Sequence, residues 1–216
     1  MSRGPGTPRR TLVKVCGLTR LEDARTALEA GADWLGVIVA GESPRRLDAG
    51  AAGEIATALP GAEIVAVMVA PTPDEALQLA ARAGARRVQL HRVDPAAWPA
   101  DFPLEVIIVV PVGPDGRLTS ALPRAGTLVM LDAAHPTRAG GSGETFPWDG
   151  AAAVAATRDV VLAGGLGPDN VAQAIERVRP FAVDASSRLE RAPGIKDADL
   201  VRRYVAAARR ADAVRA

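Results

Sequence analysis

Eight apolar runs of strand length alternate with amphipathic stretches of helix length, and this alternation predicts an α/β fold with a parallel eight-stranded sheet. The 216 residues contain no composition shift or long linker, so the eight units fit a single (β/α)8 barrel of near-minimal size. An open doubly wound sheet is the alternative architecture. No Gly-x-Gly-x-x-Gly follows the first strand, which disfavours a dinucleotide-binding version of that sheet.

The strands are predicted from short apolar runs bounded by turn-forming or polar residues. In chain order the candidates are Leu12 to Val15, Trp34 to Val39, Glu63 to Val69, Arg87 to Leu90, Leu104 to Val110, Thr127 to Leu131, Val160 to Leu162 and Phe181 to Val183. The first strand leads directly into Cys16, the only cysteine, and Gly17 then permits a sharp turn. Because Glu22 stands three residues after Thr19, the spacing predicts a capping box at the first helix.

A helix candidate follows each strand, and the fourth and fifth are short or weak. In chain order they are Arg20 to Ala30, Ala49 to Leu59, Pro73 to Ala83, Pro95 to Trp98, Asp115 to Leu122, Trp148 to Ala156, Pro168 to Val178 and Asp197 to Ala213. Gly31 and Gly84 stand just past two helix ends, where a left-handed residue commonly closes a helix. Residues 1–10 lack the apolar stretch of a signal peptide and are predicted to be a flexible tail, leaving 11–216 as the barrel domain.

Composition excludes several classes of partner. The 26 Lys and Arg residues nearly balance 25 Asp and Glu residues, so no basic field attracts nucleic acid or an anionic membrane. A single cysteine excludes an intrachain disulfide. No run approaches the 18 apolar residues of a membrane span, and we expect a soluble cytoplasmic protein. The two histidines, His91 and His135, lack metal-ligand spacing.

Polar side chains recur where the predicted strands end. Residues two apart on a strand share a face, about 6.6 Å apart, which pairs Lys14 with Cys16, Gln89 with His91, Met130 with Asp132, and Ala182 with Asp184. If these faces point into the barrel, a thiol, an imidazole and two carboxylates converge at its C-terminal mouth, where such barrels bind ligands. A lone His or Asp at a strand end is more often an ordinary turn residue, and the alternative for Cys16 is a small buried apolar residue. The prediction therefore depends on their joint occurrence.

Glycine-rich or serine-containing loops follow the last three strands, at residues 132–143, 163–170 and 184–188. Loops after strands seven and eight, together with a helix N-terminus, form the phosphate site of many (β/α)8 barrels. The alternative is that these glycines only make tight turns. Two successive loops at the phosphate positions favour a phosphorylated ligand.

Motifs spread from residue 13 to residue 205 resemble those of the phosphoribosylanthranilate isomerase family of tryptophan biosynthesis. In chain order they are Lys14-Val15-Cys16-Gly17-Leu18-Thr19, Ala30-Gly31-Ala32-Asp33 leading into Gly36, Ser43-Pro44-Arg45, Val88-Gln89-Leu90-His91, Leu131-Asp132-Ala133, Gly140-Gly141-Ser142-Gly143-Glu144-Thr145-Phe146, Leu162-Ala163-Gly164-Gly165-Leu166 with Pro168 and Asn170, Val183-Asp184-Ala185-Ser186-Ser187, and Pro193-Gly194-Ile195-Lys196-Asp197. Any one of these is ambiguous, whereas their order and spacing together are specific.

The resemblance implies a TIM-barrel isomerase that carries out an Amadori rearrangement of a phosphorylated small-molecule substrate without a cofactor or metal. It implies that Asp132 is the general acid, Cys16 the general base and Arg45 the contact for the anthranilate carboxylate. His91 and Asp184 are implied to line the substrate site. The implied phosphate-binding residues are Gly141, Ser142, Gly143, Gly164, Gly165, Ser186 and Ser187. Oligomeric state is left open.

Two further features of the chain bear on the base and on the ligand pocket. A thiol needs a nearby cation or dipole to act as a base near neutral pH; Lys14 is one candidate, and the other interpretation is that Lys14 is a packed, ion-paired floor residue. The chain also departs from the family pattern: Val37-Ile38-Val39 replaces a Phe-Val-Phe run, and Arg92 and Arg188 replace glycines. These departures bear on the aryl pocket and the phosphate loop.

Two alternative functions are compatible with the resemblance. One is an Amadori-type isomerase of a related phosphoribosyl amine, such as the histidine-pathway substrate, although barrels of that pathway typically place an aspartate where this chain has Cys16. The other is a phosphosugar-binding homologue without turnover. The presence of both Cys16 and Asp132 disfavours it, since binding alone requires neither residue.

Overall fold

The predicted barrel is confirmed in a computed structural model, which describes residues 10–133 and 145–213. Eight parallel strands close in sequence order, with the first strand paired to the eighth. They are β1 (Leu12–Val15), β2 (Trp34–Ile38), β3 (Glu63–Val69), β4 (Arg87–His91), β5 (Glu105–Val112), β6 (Leu128–Ala133), β7 (Val160–Leu162) and β8 (Ala182–Ala185). Residues 1–9 lie outside the described ranges, so the flexible tail stays a prediction.

Six of the predicted helices form outside the sheet. They are α1 (Leu21–Glu29), α2 (Ala49–Ala58), α3 (Pro73–Arg82), α4 (Asp149–Ala155), α5 (Val171–Val178) and α6 (Ala198–Ala213). The short helices predicted near Pro95 and Asp115 were wrong, because both segments are turns. Asp94 accepts a hydrogen bond from the backbone N–H of Ala96, and Asp115 accepts one from Arg117. Such local side-chain bonds compete with helix formation. None of the described helices has the length and apolar character needed to cross a membrane.

Two helix ends form as the local sequence predicts, and the predicted start of α1 does not. Gly31 and Gly84 adopt φ values of 97° and 65°, as the C-cap prediction requires. The capping box predicted at Thr19 was wrong, because α1 begins after Arg20 without a side-chain cap. The Thr19 hydroxyl instead donates to the carbonyl of Gly194, 175 residues away. This long-range bond ties the turn after β1 to the segment after β8.

The apolar side chains form two cores. A large one fills the space between the sheet and the helices. A smaller one fills the barrel interior and contains Trp34, Val65, Ile107, Val109, Met130, Val161, Ala163 and Ala182. Because Met130 and Ala182 belong to the inner core, Asp132 and Asp184, two residues further along their strands, project from the same inner face. The predicted convergence at the barrel mouth follows from this alternation.

One element has no counterpart in the sequence predictions. After β8, a single 3₁₀ turn (Ser187–Leu189) leads into a small antiparallel hairpin, β9 (Glu190–Ala192) and β10 (Ile195–Lys196). Gly194 has a φ of 79° in the connection, a conformation that glycine adopts without steric cost. The hairpin places Glu190 and Lys196 close together over the C-terminal side of the barrel.

Candidate active site

Lys14 and Asp184 form a buried ion pair across the seam that closes the barrel. They stand level in the β1–β8 register, and the Lys14 ammonium lies 2.9 Å from a carboxylate oxygen of Asp184. A Cβ atom at Gly36 would lie 2.9 Å from Lys14 Nζ and 2.8 Å from Cys16 Sγ. Glycine at position 36 therefore leaves the space in which the ammonium and the thiol meet.

Lys14 has both a buried ion-pair partner and a neighbouring thiol, as its two interpretations require. Burial disfavours its charge, but Asp184 and Cys16 together raise its pKa above the ordinary value, so Lys14 stays cationic. Burial raises the pKa of the Cys16 thiol, and the charge and hydrogen bond of Lys14 oppose that shift. Lys14 is thus the ion-paired residue of the barrel interior and also the cation that favours the Cys16 thiolate.

Asp132, at the end of β6, is a carboxylic acid poised near neutrality. Only 8% of the residue is exposed. Burial, assisted by the negative charge of Asp184, raises the pKa of Asp132 to about 7, and the backbone N–H of Ala133 opposes the shift. Near pH 7, a large fraction of the molecules therefore carry a proton on Asp132 and can donate it.

His91, at the end of β4, is a neutral imidazole. Burial lowers its pKa to about 4, with further lowering by the charges of Lys14 and Arg92. Gln89, two residues earlier on the same inner face, lies 2.9 Å from His91 Nε2 through its amide nitrogen. This contact holds the ring in place, so His91 can exchange hydrogen bonds with a ligand without adding a positive charge.

A pocket joins Asp132 to the predicted phosphate loops. Its lining consists of Asp132, Ala163, Gly164, Gly165, Leu166, Asp184, Ala185, Ser186 and Ser187. Gly164 and Gly165 adopt φ values of 83° and 60°, which turn the backbone sharply beside the cavity. A side chain at Gly164 would collide with Ala133, since a Cβ would approach its backbone nitrogen to 2.8 Å. The predicted residues Gly141, Ser142 and Gly143 lie outside the described residues.

Arg45, in the segment between β2 and α2, comes to the same end of the barrel. Its guanidinium donates from Nε and Nη2 to the two carboxylate oxygens of Glu190, each at 2.8 Å. Glu190 also accepts from Lys196 Nζ at 2.8 Å. Neither Glu190 nor a role for Lys196 was predicted from the sequence. Pro193-Gly194 between two short segments is a turn signal that points to the hairpin carrying them.

The departures from the family pattern fall in different places. Val37 and Val39 pack in the core between the sheet and the helices. Arg188 donates to the carbonyl of Gly165 at 3.2 Å and approaches Asp169, so it holds the loop after β7. Arg92 adopts a φ of 54°, a left-handed conformation that favours glycine.

No group of three or more potential metal-ligating side chains occurs within residues 10–133 and 145–213. The site described here consists of a thiol beside a buried ammonium, a carboxylic acid that titrates near neutrality, a neutral imidazole, and a backbone cradle. Such groups move protons and hold an anion.

Comparison with known proteins shows similarity to one family over most of the chain. The family model for N-(5'phosphoribosyl)anthranilate (PRA) isomerase matches residues 13–207. A relative from Geobacter sp. strain M21, named N-(5'-phosphoribosyl)anthranilate isomerase, is 42% identical over 203 residues, which cover 93% of this chain and 98% of that protein.

Solved structures agree in fold. Phosphoribosyl anthranilate isomerase from Thermotoga maritima superposes with a TM-score of 0.78 at 34% identity, covering 92% of this chain and 98% of its own. A second isomerase structure, in complex with reduced 1-(o-carboxyphenylamino)-1-deoxyribulose 5-phosphate, gives a TM-score of 0.74 at 30% identity, with 92% and 98% coverage. The chain therefore belongs to the N-(5'-phosphoribosyl)anthranilate isomerase family.

Proposed function

We propose that this protein catalyses the Amadori rearrangement of N-(5-phosphoribosyl)anthranilate to 1-(2-carboxyphenylamino)-1-deoxyribulose 5-phosphate in tryptophan biosynthesis. One observation carries the proposal: a single pocket joins Asp132 to the Gly164–Gly165 and Ser186–Ser187 backbone. A substrate phosphate held by that backbone brings its sugar ring toward the acid. The phosphorylated ligand named in the related structure has the same chemical class.

Asp132 is proposed to open the ring. Its carboxylic acid gives a proton to the furanose oxygen while the nitrogen lone pair forms the C1'–N double bond, and the C1'–O bond breaks. The product is a protonated Schiff base and an Asp132 carboxylate. A pKa of about 7 suits this step, because an acid that titrates near the working pH both carries a proton and releases it readily.

Cys16 is proposed to remove the C2' proton. As a thiolate it takes that proton, and the C–H electron pair forms the C1'–C2' double bond of an enolamine, neutralising the Schiff-base nitrogen. Burial holds the pKa of Cys16 above its ordinary value, and the Lys14 ammonium, which lies against the thiol, limits that rise and so favours the thiolate. The enolamine then gains a proton at C1' and loses one from O2', giving the ketone with no net change in atoms or electrons.

The remaining predicted residues are proposed to hold the substrate. Arg45 binds the anthranilate carboxylate, and Gly164, Gly165, Ser186 and Ser187 bind the phosphate together with Gly141, Ser142 and Gly143. His91 and Asp184 line the sugar site; burial raises the pKa of Asp184, and the charge and hydrogen bond of Lys14 oppose that rise. The cytoplasmic location stays a prediction from the sequence.

A steady-state assay of wild type, Cys16→Ala and Asp132→Asn with freshly generated N-(5-phosphoribosyl)anthranilate tests the function. We expect turnover by wild type and a fall in kcat of about 10²–10⁴-fold in each variant, since each removes a proton-transfer group. Glu105→Gln, which removes a mostly exposed carboxylate at the other end of the barrel, is the matched control and should retain activity. Substrate binding without turnover by wild type would contradict the proposal.

A further inference from the structure

Three charged side chains form a compact cluster between the turn after β1 and the hairpin after β8. Glu190 lies at its centre, paired with Arg45 on one side and with Lys196 on the other, each at 2.8 Å. The side chains of Glu190 and Lys196 are 4% and 1% exposed, and that of Arg45 is 13% exposed. These buried contacts fix the guanidinium far more firmly than a surface ion pair would.

The cluster lies directly beside the proposed base. A Cβ atom at Gly17 would lie 2.6 Å from Arg45 Cδ and 2.8 Å from Ser186 Oγ, so the Arg45 side chain crosses the backbone immediately after Cys16. Gly17 itself has a φ of 71°. The residue after Cys16 therefore has to be small for Arg45 to reach Glu190 along this path.

The contacts of Arg45 leave one part of the guanidinium available. Nε and Nη2 donate to Glu190, and Nη1 has no hydrogen bond among the residues that the structure describes. Lys196 Nζ is held by Glu190 and by the carbonyl of Ser186. Two cations share one carboxylate, so the cluster carries a net positive charge that one further anion would balance.

The state of Glu190 agrees with this role. Burial opposes ionisation, but hydrogen bonds and charges from Arg45 and Lys196 outweigh it and lower the pKa of Glu190. The carboxylate therefore stays charged and keeps both oxygens on the guanidinium edge. Losing this partner would free Arg45 to adopt other rotamers.

We propose that Glu190 is a positioning residue that aims Arg45 at the carboxylate of the substrate, with Lys196 anchoring Glu190 from behind. This inference rests on the proposed function, because it assigns Arg45 the aryl carboxylate. It adds a specificity element carried by the hairpin: the protein distinguishes a carboxylated aryl amine from an uncharged one through Glu190, which does not itself contact the substrate.

The test compares Glu190→Gln with wild type on two substrates, N-(5-phosphoribosyl)anthranilate and the carboxylate-free N-(5-phosphoribosyl)aniline. For the carboxylated substrate we expect KM to rise about 10-fold with kcat within about twofold, because one charge-assisted contact is misaligned. For the aniline analogue we expect both constants to stay within about twofold of wild type. Glu105→Gln, which removes a carboxylate from another arginine pair, should change neither substrate's KM.

A second variant covers the case in which Glu190→Gln does not fold. Glu190→Asp keeps the charge with a shorter reach, and we expect a smaller KM increase, again only for the carboxylated substrate. In an Arg45→Ala background, Glu190→Asp should add no further increase. Equal losses on both substrates would overturn the positioning role and leave Glu190 as a clamp for the hairpin. Absence of turnover by wild type would overturn the proposed function as well. That outcome differs from equal losses on both substrates, which overturn only the positioning role.

Discussion

The two ends of the barrel use ionic side chains in opposite ways. At the N-terminal end, Arg87 stacks over Trp34, with its guanidinium carbon 4.3 Å from the ring centre, and pairs with Glu63 and Glu105. Those two carboxylate side chains are 52% and 70% exposed. At the C-terminal end, Lys14 and Asp184 pair with side-chain exposures of 0% and 9%.

The difference lies in what surrounds the charges. Water reaches the two carboxylates of the N-terminal cluster, whereas the Arg87 side chain is 13% exposed and stacks on Trp34. Only the guanidinium of that cluster is withdrawn from water, and its partners stay solvated. At the C-terminal end, burial and neighbouring charges displace the pKa values of Cys16, His91 and Asp132. A fold gains no stability from a carboxyl group that resists ionisation, so we infer that these groups are present for chemistry.

The largest expected effect on stability is at the C-terminal end, where the buried Lys14–Asp184 pair supports the fold as well as the chemistry. Lys14→Met should lower the free energy of unfolding by about 3–5 kcal/mol, because it leaves Asp184 buried without its partner. Replacing both residues, with Lys14→Met and Asp184→Leu, should recover most of that loss. Urea denaturation measures both variants, and a loss under about 1 kcal/mol for Lys14→Met would show that the pair is not buried as described.

The same variant sharpens the chemical side of the comparison. Because Lys14 opposes the upward shift of the Cys16 pKa, Lys14→Met should raise that pKa further. The rate of thiol alkylation against pH measures it. An unchanged midpoint would mean that Lys14 has no electrostatic role toward Cys16.

Two buried groups, Asp132 and His91, should make the free energy of unfolding depend on pH in opposite directions. The folded-state pKa of Asp132 is raised from 3.8 to about 7. The contribution of Asp132 to the free energy of unfolding is therefore full below pH 4 and is lost as pH rises through 7. The folded-state pKa of His91 is lowered from 6.5 to about 4, so its contribution is full above pH 6.5 and is lost as pH falls through 4.

Single variants separate the two contributions. Relative to wild type, Asp132→Asn should gain stability as pH rises from about 4 to 7, by at most about 1.4 kcal/mol per pH unit. His91→Gln should lose stability relative to wild type as pH rises from about 4 to 6.5, because the buried neutral His91 stabilises wild type progressively over that range. Chemical denaturation at half-unit pH steps measures both; curves parallel to wild type would refute the shifts.

At the N-terminal end we expect a smaller and purely structural effect. Arg87→Met should cost about 1–2 kcal/mol, from the lost cation–π contact and partly exposed ion pairs, with kcat and KM unchanged. Arg177→Met, which breaks an exposed pair with Asp149, is the control and should cost under about 0.5 kcal/mol. A loss of activity in Arg87→Met would break the proposed division between the two ends.

The smallest expected effect concerns Arg92, next to His91. Its φ of 54° is unfavourable for a residue with a side chain, so Arg92→Gly should raise the free energy of unfolding by up to about 1 kcal/mol. Arg86→Gly serves as the control at an exposed position without a positive φ, and should destabilise through chain entropy. Thermal denaturation of the two variants decides it, and a destabilised Arg92→Gly would contradict the conformational argument.

The strand bounds and the inward-facing side chains, which depend on burial alone, could be predicted from the sequence. The bounds of β1, β3 and β7 match the runs that predicted them, because a strand covered on both faces is mostly apolar. The alternation of inward and outward side chains placed Lys14, Cys16, Asp132 and Asp184 correctly on the inner face, since period two follows from strand geometry.

Contacts between distant segments were not predictable in this way. Thr19 has the spacing of a helix cap, but its hydroxyl donates to the carbonyl of Gly194, a partner that only the fold brings close, and Arg20 holds the N-cap position. The hairpin that carries Glu190 and Lys196 is only three and two residues long on its two strands, too short for a periodic pattern to register. The partner of Arg45 could therefore be identified only in the structure, where the segment after β2 meets the hairpin after β8.

The central claim is that the C-terminal end holds groups kept for chemistry at the expense of stability. Its most direct test is to measure kcat and the free energy of unfolding of Asp132→Asn together, at pH 8. We predict a fall in kcat of about 10²–10⁴-fold in a protein at least as stable as wild type, since the variant removes a buried carboxyl whose ionisation is resisted. A variant that keeps its kcat, or that loses activity only because it unfolds, would contradict the claim.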